Sequence, residues 1–187
     1  MKHLFNRSLR ILLATNAIIL FAGAMLGPIY ALFVEEIGGS LLDASIAGGV
    51  FALAAGFTTL ISGRYTDKLK ENEYIIVLGY LVMAIGFYLY VFVDTMFFLL
   101  VVQVIIGLGE AIYSPAFDAL YSKHISKKRS GREWAAWESM YYFTAAIAAL
   151  VGGLVVTNFS FEVLFIAMGT MALASAVYIA LLPRKIL

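Results

Sequence analysis

Six apolar stretches, near residues 9–33, 44–62, 74–93, 95–121, 134–157 and 161–182, divide the chain so that every Lys and Arg falls on one side of a bilayer threaded in alternating directions. Each stretch is close to or above the ~20 residues that carry a helix across a hydrocarbon core about 30 Å thick. One side collects Lys2, Arg7 and Arg10, then Arg64, Lys68 and Lys70, then Lys123, Lys127, Lys128, Arg129 and Arg132, and finally Arg184 and Lys185, which are all 13 basic residues. The other side holds Glu35, Glu36, Asp43, Asp94 and Glu162 with no cation among them. Basic loops stay in the cytoplasm. The sequence therefore predicts an all-α membrane protein, a single six-helix transmembrane bundle over residues 1–187, with both termini inside.

Composition excludes the water-soluble alternative. Charged residues make up 13% of the chain against 63% apolar, where soluble domains carry roughly 25% charged residues. The first apolar run is longer than the about 7 to 15 residues of a signal-peptide core and is read as a true span. With no cysteine, neither a disulfide framework nor a thiolate-ligated metal is available. Basic cytoplasmic loops suit a bacterial inner membrane.

Laying the second half of the chain on the first at one common offset brings Asn16 onto Gln103, Gly23 onto Glu110, Pro28 onto Pro115, and Gly48-Gly49 onto Ala135-Ala136. Three spans per half give the two halves opposite topology, so the expected architecture is a 3+3 inverted repeat. Such repeats are a signature of secondary transporters.

Between the second and third spans the chain reads Gly63-Arg64-Tyr65-Thr66-Asp67-Lys68-Leu69-Lys70, a Gly, then an Asp four residues on, then a basic residue, at a cytoplasmic helix end. This resembles the loop signature of the major facilitator superfamily, whose fold is built from six-span bundles. The resemblance implies a cytoplasmic gate motif of Gly63, Arg64, Asp67 and Lys68, with Asp67 near a helix end of the opposite bundle. A carboxylate opposite a helix N-terminus gains about 0.3 to 1 kcal/mol. Two family positions depart from the pattern. Gln103 stands where proton-coupled members carry an Arg four residues before a Gly, here Gly107; and Ala148-Ala149 precede Gly152-Gly153 where drug exporters show Gly-Pro.

The family's usual member joins two bundles in one chain. A carrier needs a site between two halves that rock against each other, so a single bundle is expected to pair with itself as a parallel two-fold homodimer; a piece of a longer chain is the other reading. The resemblance places the second and fifth spans at the contact between bundles. Small residues recur there: Gly49 and Gly56, with Gly63, on the second span, and Ala145, Ala149, Gly152 and Gly153 on the fifth. These are the candidate dimer seam, with packing inside one bundle as the alternative.

Glu110 lies near the middle of the fourth span, where a charge costs at least about 2.5 kcal/mol. A carboxyl group there is either a proton and cation carrier or a partner for a neighbouring helix. At 100° per residue, Gln103, Gly107, Glu110, Ser114, Asp118 and Tyr121 share one face of that helix. Asp118 either meets substrate or is solvated and paired with Lys123. Glu138, with Glu133, either joins the site or favours a helix N-terminus. On the first span, Asn16, Gly23, Gly27 and Tyr30 share a face that Pro28 can kink. The candidate substrate and proton site is thus Glu110, Gln103, Asn16, Ser114, Asp118 and Tyr30. Trp134 fits an interfacial aromatic belt, and Tyr141 and Tyr142 are further cavity candidates.

No enzyme constellation, metal site or cofactor-binding loop is found: His3 and His124 lie in basic segments, and no phosphate-cradling loop follows a strand. The basic run 123–132 faces lipid headgroups rather than nucleic acid. The expected function is secondary transport of a small cationic or amphipathic organic solute by proton antiport, in a homodimer working by rocker-switch alternating access. The alternatives are a non-transporting six-span subunit that pairs with another half or regulates a partner, and a lipid-handling pore or flippase.

Overall fold

The computed structural model describes residues 6–68 and 71–182. Lys2, Lys70, Arg184 and Lys185 of the charge pattern, His3, and Leu69 of the loop motif lie outside them. The regular elements among the described residues are all helices, with no strand among them. Six helical units are long and apolar enough to cross a membrane: Arg7–Glu36, Leu41–Thr66, Asn72–Phe92, Met96–His124, Ser130–Asn158 and Phe161–Ala180. They are called here the first to sixth spans.

Polar caps set where these helices begin. Asn6 Oδ1 accepts from Leu9 N–H at 2.8 Å. Ser40 and Asp43 form a capping box at the second span, each side chain bonding the other residue's backbone N–H. Thr95 and Ser160 cap the fourth and sixth spans. Such caps satisfy N–H groups that the first helical turn leaves without intrahelical partners. The turn into the second span passes through Gly38 at φ 82°, a left-handed conformation that a Cβ disfavours.

The first span is not one continuous helix. It runs as Arg7–Ala24, a 3-10 turn Gly27–Ile29 containing Pro28, and a short helix Tyr30–Glu36. Pro28 lacks the N–H that an unbroken helix would use there. Pro115, by contrast, lies inside the continuous fourth helix.

The fourth span packs on the second and third, the first on the fifth and sixth, and the third also on the sixth. Where two of these helices come closest, a glycine removes the obstacle. A Cβ on Gly79 would stand 2.7 Å from the Gly109 carbonyl oxygen, so the third and fourth spans meet backbone to backbone. Gly107 likewise faces the Phe51 carbonyl oxygen of the second span at 2.7 Å from the position of its missing Cβ. Close approach through small residues is how helices gain dispersion contact in lipid, where burial from water contributes nothing between them. Hydroxyls add ties: Ser62 Oγ donates to the Ala111 carbonyl, joining the second and fourth spans.

Two aromatic groups close the ends of the bundle. Where the first, third and sixth spans meet, Tyr90 stacks on Phe165 and Phe33 meets both edge-on, with ring centres 4.8–5.7 Å apart. Phe117, Tyr121, Trp134 and Trp137 gather at the other end. There Tyr121 OH donates to the Glu133 carbonyl, Ser126 N–H donates to Glu133 Oε2 at 2.7 Å, and Asn6 Nδ2 donates to the His124 carbonyl at 3.0 Å. Trp134 is half-buried within this group rather than fully turned out to an interface.

Burial is uneven among the spans. In the most apolar window of the third, fourth and sixth spans 44% of residues are buried; in the second and fifth the figure is 11%. Leu53, Phe57, Leu60, Phe143, Leu150 and Leu154 all stand out from these two helices.

Candidate functional site

A cleft with a cavity volume of about 410 Å³ opens into the bundle, its wall drawn largely from the first and fourth spans. That volume is within the range of small-molecule sites. The fourth span contributes Gln103, Ile106, Glu110 and Tyr113, and the first contributes Gly23, Gly27 and Tyr30 among others. Phe87 and Tyr90 of the third span and Tyr141 of the fifth complete its aromatic lining.

The fourth helix aims Gln103 and Glu110 into the same space because seven residues make nearly two turns, leaving them about 20° apart around the axis. Gln103 is 5% exposed. Its Nε2 donates to the Tyr30 hydroxyl and, at 3.0 Å, to the Tyr90 hydroxyl. One amide thus joins Tyr30 of the first span and Tyr90 of the third to the fourth. Glu110 makes no hydrogen bond or ion pair among the described residues. An unpaired carboxyl in an aromatic-lined cavity is an attractive place for a cation or a proton.

The remaining candidates divide. Asn16 is 1% exposed and does not line the cavity. It accepts from Trp137 Nε1 at 3.0 Å and donates from Nδ2 to the Tyr80 hydroxyl at 3.5 Å, linking the first span to the fifth and third. Ser114 and Asp118 are half-buried and outside the lining. The cavity ends above them on the helix: Phe117, the next aromatic along, packs on Trp137 at 6.5 Å. Gly107, on the same face, is taken up by the second span, and Tyr121 by the Glu133 carbonyl.

The sequence offered less warning of the other lining residues. Tyr90 sits at a span end, where an aromatic belt explains a tyrosine without any cavity. Tyr113, one turn beyond Glu110 and packed on Tyr80 at 4.9 Å, was hidden by its apolar neighbours. Tyr141 and Tyr142 are both exposed, and of the two Tyr141 lines the cavity.

Arg64, Asp67 and Lys68 are exposed at the end of the second span, and Gly63 has nothing within 4 Å of where a Cβ would stand. The seam residues are not equivalent. Gly49, Gly56 and Gly153 face open space, Ala145 and Ala149 are half-buried, and Gly152 is buried against Met25 of the same bundle.

Residues 12–186 match the Major Facilitator Superfamily. The chain belongs to that family. The superfamily is one of transporters, and the six apolar helices make this member an integral, multi-pass membrane protein. Similar proteins include "Multidrug resistance protein MdtG" of Enterobacter lignolyticus, 24% identical over 177 residues, which cover 93% of this chain and 42% of that protein. The Klebsiella pneumoniae protein of the same name is 24% identical over 178 residues, 93% of this chain and 43% of that one. An "Uncharacterized MFS-type transporter YhjO" of Bacillus subtilis is 27% identical over 131 residues, 70% of this chain and 32% of its own length. The chain thus spans about two-fifths of the length of the MdtG relatives it matches.

Proposed function

We propose that this superfamily member is a secondary transporter that moves a small cationic or amphipathic organic solute in exchange for protons, with Glu110 as the shared site for cation and proton. The observation that carries this is the unpaired Glu110 carboxyl facing a cavity lined by Tyr30, Phe87, Tyr90, Tyr113 and Tyr141. A cation there gains from both the carboxylate and the aromatic faces. Relatives named for multidrug resistance are in keeping with such a substrate and with export, as bacterial relatives are with an inner membrane.

The working unit in this proposal is a parallel two-fold homodimer. Each bundle leaves its second and fifth spans sparsely buried, and a second copy placed on them encloses the cavity between two bundles that rock in alternating access. Gly49, Gly56 and Gly153 let the helices approach at that seam, whereas Gly152 is already used within the bundle. The expected inverted repeat is in keeping with the same mechanism: exchanging first with fourth, second with fifth and third with sixth spans maps the packed pairs onto themselves. N-in, C-in orientation follows from the basic loops. In a second reading the same two exposed spans receive a different six-span half, and the chain alone transports nothing.

Proteoliposomes containing only the purified chain test this. Uptake of a cationic dye that follows an imposed pH gradient, and that Glu110→Gln abolishes, is the expected result. Because the chain has no cysteine, single cysteines at Gly49 and Gly153 report the dimer by cross-linking. Uptake in Glu110→Gln that follows the pH gradient as fully as in wild type would remove Glu110 from coupling. A stable, uncross-linked monomer without flux favours the second reading.

A further inference from the structure

The amide of Gln103 spends both of its N–H groups on tyrosine hydroxyls, one on Tyr30 and one on Tyr90. A glutamine has only two such donors and one carbonyl acceptor. Its Oε1 is therefore the free end of the group, and it receives no hydrogen bond among the described residues. Nor is it sealed away: among those residues the buried side-chain polar atoms lacking a partner are Glu73 Oε2 and Ser175 Oγ. Since Gln103 lines the cavity, the open space beside Oε1 is the cavity. Each tyrosine oxygen accepts from the amide and so keeps its own O–H proton, for which no acceptor is present among the described residues. The three side chains together offer one acceptor and two donors at one end of the cavity.

At the other end stands Glu110. The two positions are seven residues apart on one helix, an axial separation of about 10 Å at 1.5 Å per residue. Between them the wall is apolar, with Phe87 and Ile106. A polar cluster left without partners in such a wall discriminates strongly by hydrogen bonding, because an occupant lacking the matching groups strands it.

Building on the proposed transport role, we infer that the cavity binds an elongated solute at two points: its cationic group on Glu110, and a neutral carboxamide on the Tyr30–Gln103–Tyr90 cluster. The carboxamide N–H donates to Gln103 Oε1 and its carbonyl oxygen accepts from the tyrosine hydroxyls. The substrate class is an amide-bearing organic cation whose two polar groups lie about 10 Å apart. Gln103 and Tyr30 set specificity, and Glu110 sets affinity for the charge.

The test uses the purified full chain in detergent and two series of alkyltrimethylammonium ligands of increasing chain length, one ending in a carboxamide and the other in an isopropyl group of the same shape. In wild type the amide series binds about tenfold tighter than its apolar counterpart, with the preference peaking at the length that spans the two points. Gln103→Leu removes most of the preference, since the amide N–H loses the Oε1 acceptor that repays its desolvation. Tyr30→Phe, a milder change that keeps the ring, reduces it. Glu110→Gln weakens both series alike. If both series bind wild type and depend on Glu110 but show no amide preference at any length, the two-point site is wrong while the transport reading stands. If neither series binds at any length, that transport reading fails and this inference fails with it.

Discussion

Gly152 of the fifth span lies so close to the Met25 backbone carbonyl of the first that a Cβ on the glycine would overlap it. Its neighbour Gly153 faces open space. Backbone cannot swing aside as the end of a side chain can, so Gly152→Ala is expected to destabilise the bundle by about 1–3 kcal/mol. Gly153→Ala, which removes only backbone freedom, is expected to be neutral or slightly stabilising. Thermal unfolding in detergent distinguishes them, and equal melting temperatures would refute the close crossing of the first and fifth spans.

Asn16 holds three spans through one amide, with Trp137 Nε1–H on its oxygen and the Tyr80 hydroxyl on its nitrogen. Asn16→Leu leaves the buried Tyr80 hydroxyl and the half-buried Trp137 indole without their bonds, at a cost of about 1–3 kcal/mol. Trp137→Phe removes the indole donor from the other side. Because the two changes delete the same hydrogen bond, their effects on unfolding free energy should add up to more than the double variant shows. Strict additivity would mean that the bond contributes nothing. Dye uptake by Asn16→Leu, normalised to folded protein, should persist, since Asn16 does not touch the cavity.

Gly49 and Gly56 have no atom within 4 Å of an added Cβ, so Gly49→Leu and Gly56→Leu should leave the melting of the isolated bundle nearly unchanged. In the proposed homodimer the same substitutions hold the helices apart. The expected outcome is loss of cross-linking and of uptake together, with secondary structure intact. Uptake surviving in both variants would move the seam elsewhere.

The spans were legible in the sequence because hydrocarbon thickness demands long apolar runs, but their ends were not. The second stretch, read as 44–62, forms a helix Leu41–Thr66: its first turn is specified by the Ser40–Asp43 capping box, whose polar atoms lower hydropathy where they start the helix. Glu110 and Gln103 stood out as polar groups on one face of an apolar helix, and both line the cavity. Asn16 looked equivalent to Gln103, yet its amide is consumed by Trp137 and Tyr80. Whether an intramembrane amide meets a cavity or another helix depends on how neighbouring spans are rotated about their axes, which the pattern of a single span does not encode. Adjacent Gly152 and Gly153 pose the same problem. Their identities are alike, and only the course of the first span past one of them makes it indispensable to the bundle.

Asp67 occupies the C-terminal cap of the second span with its side chain exposed. Helix C-termini carry partial negative charge, so a carboxylate there is poorly placed for its own helix. In the proposed dimer it faces a helix N-terminus of the opposite copy, where the same charge is favourable. Asp67→Asn is therefore expected to leave the detergent-solubilised bundle unchanged within about 0.5 kcal/mol, or slightly more stable, while sharply lowering uptake. Lys68→Gln, one residue on and equally exposed, serves as the comparison for a general loss of surface charge. If Asp67→Asn lowers bundle stability by as much as it lowers uptake, the carboxylate is a local structural element, and the gate must rest on other groups of the Gly63–Lys68 segment.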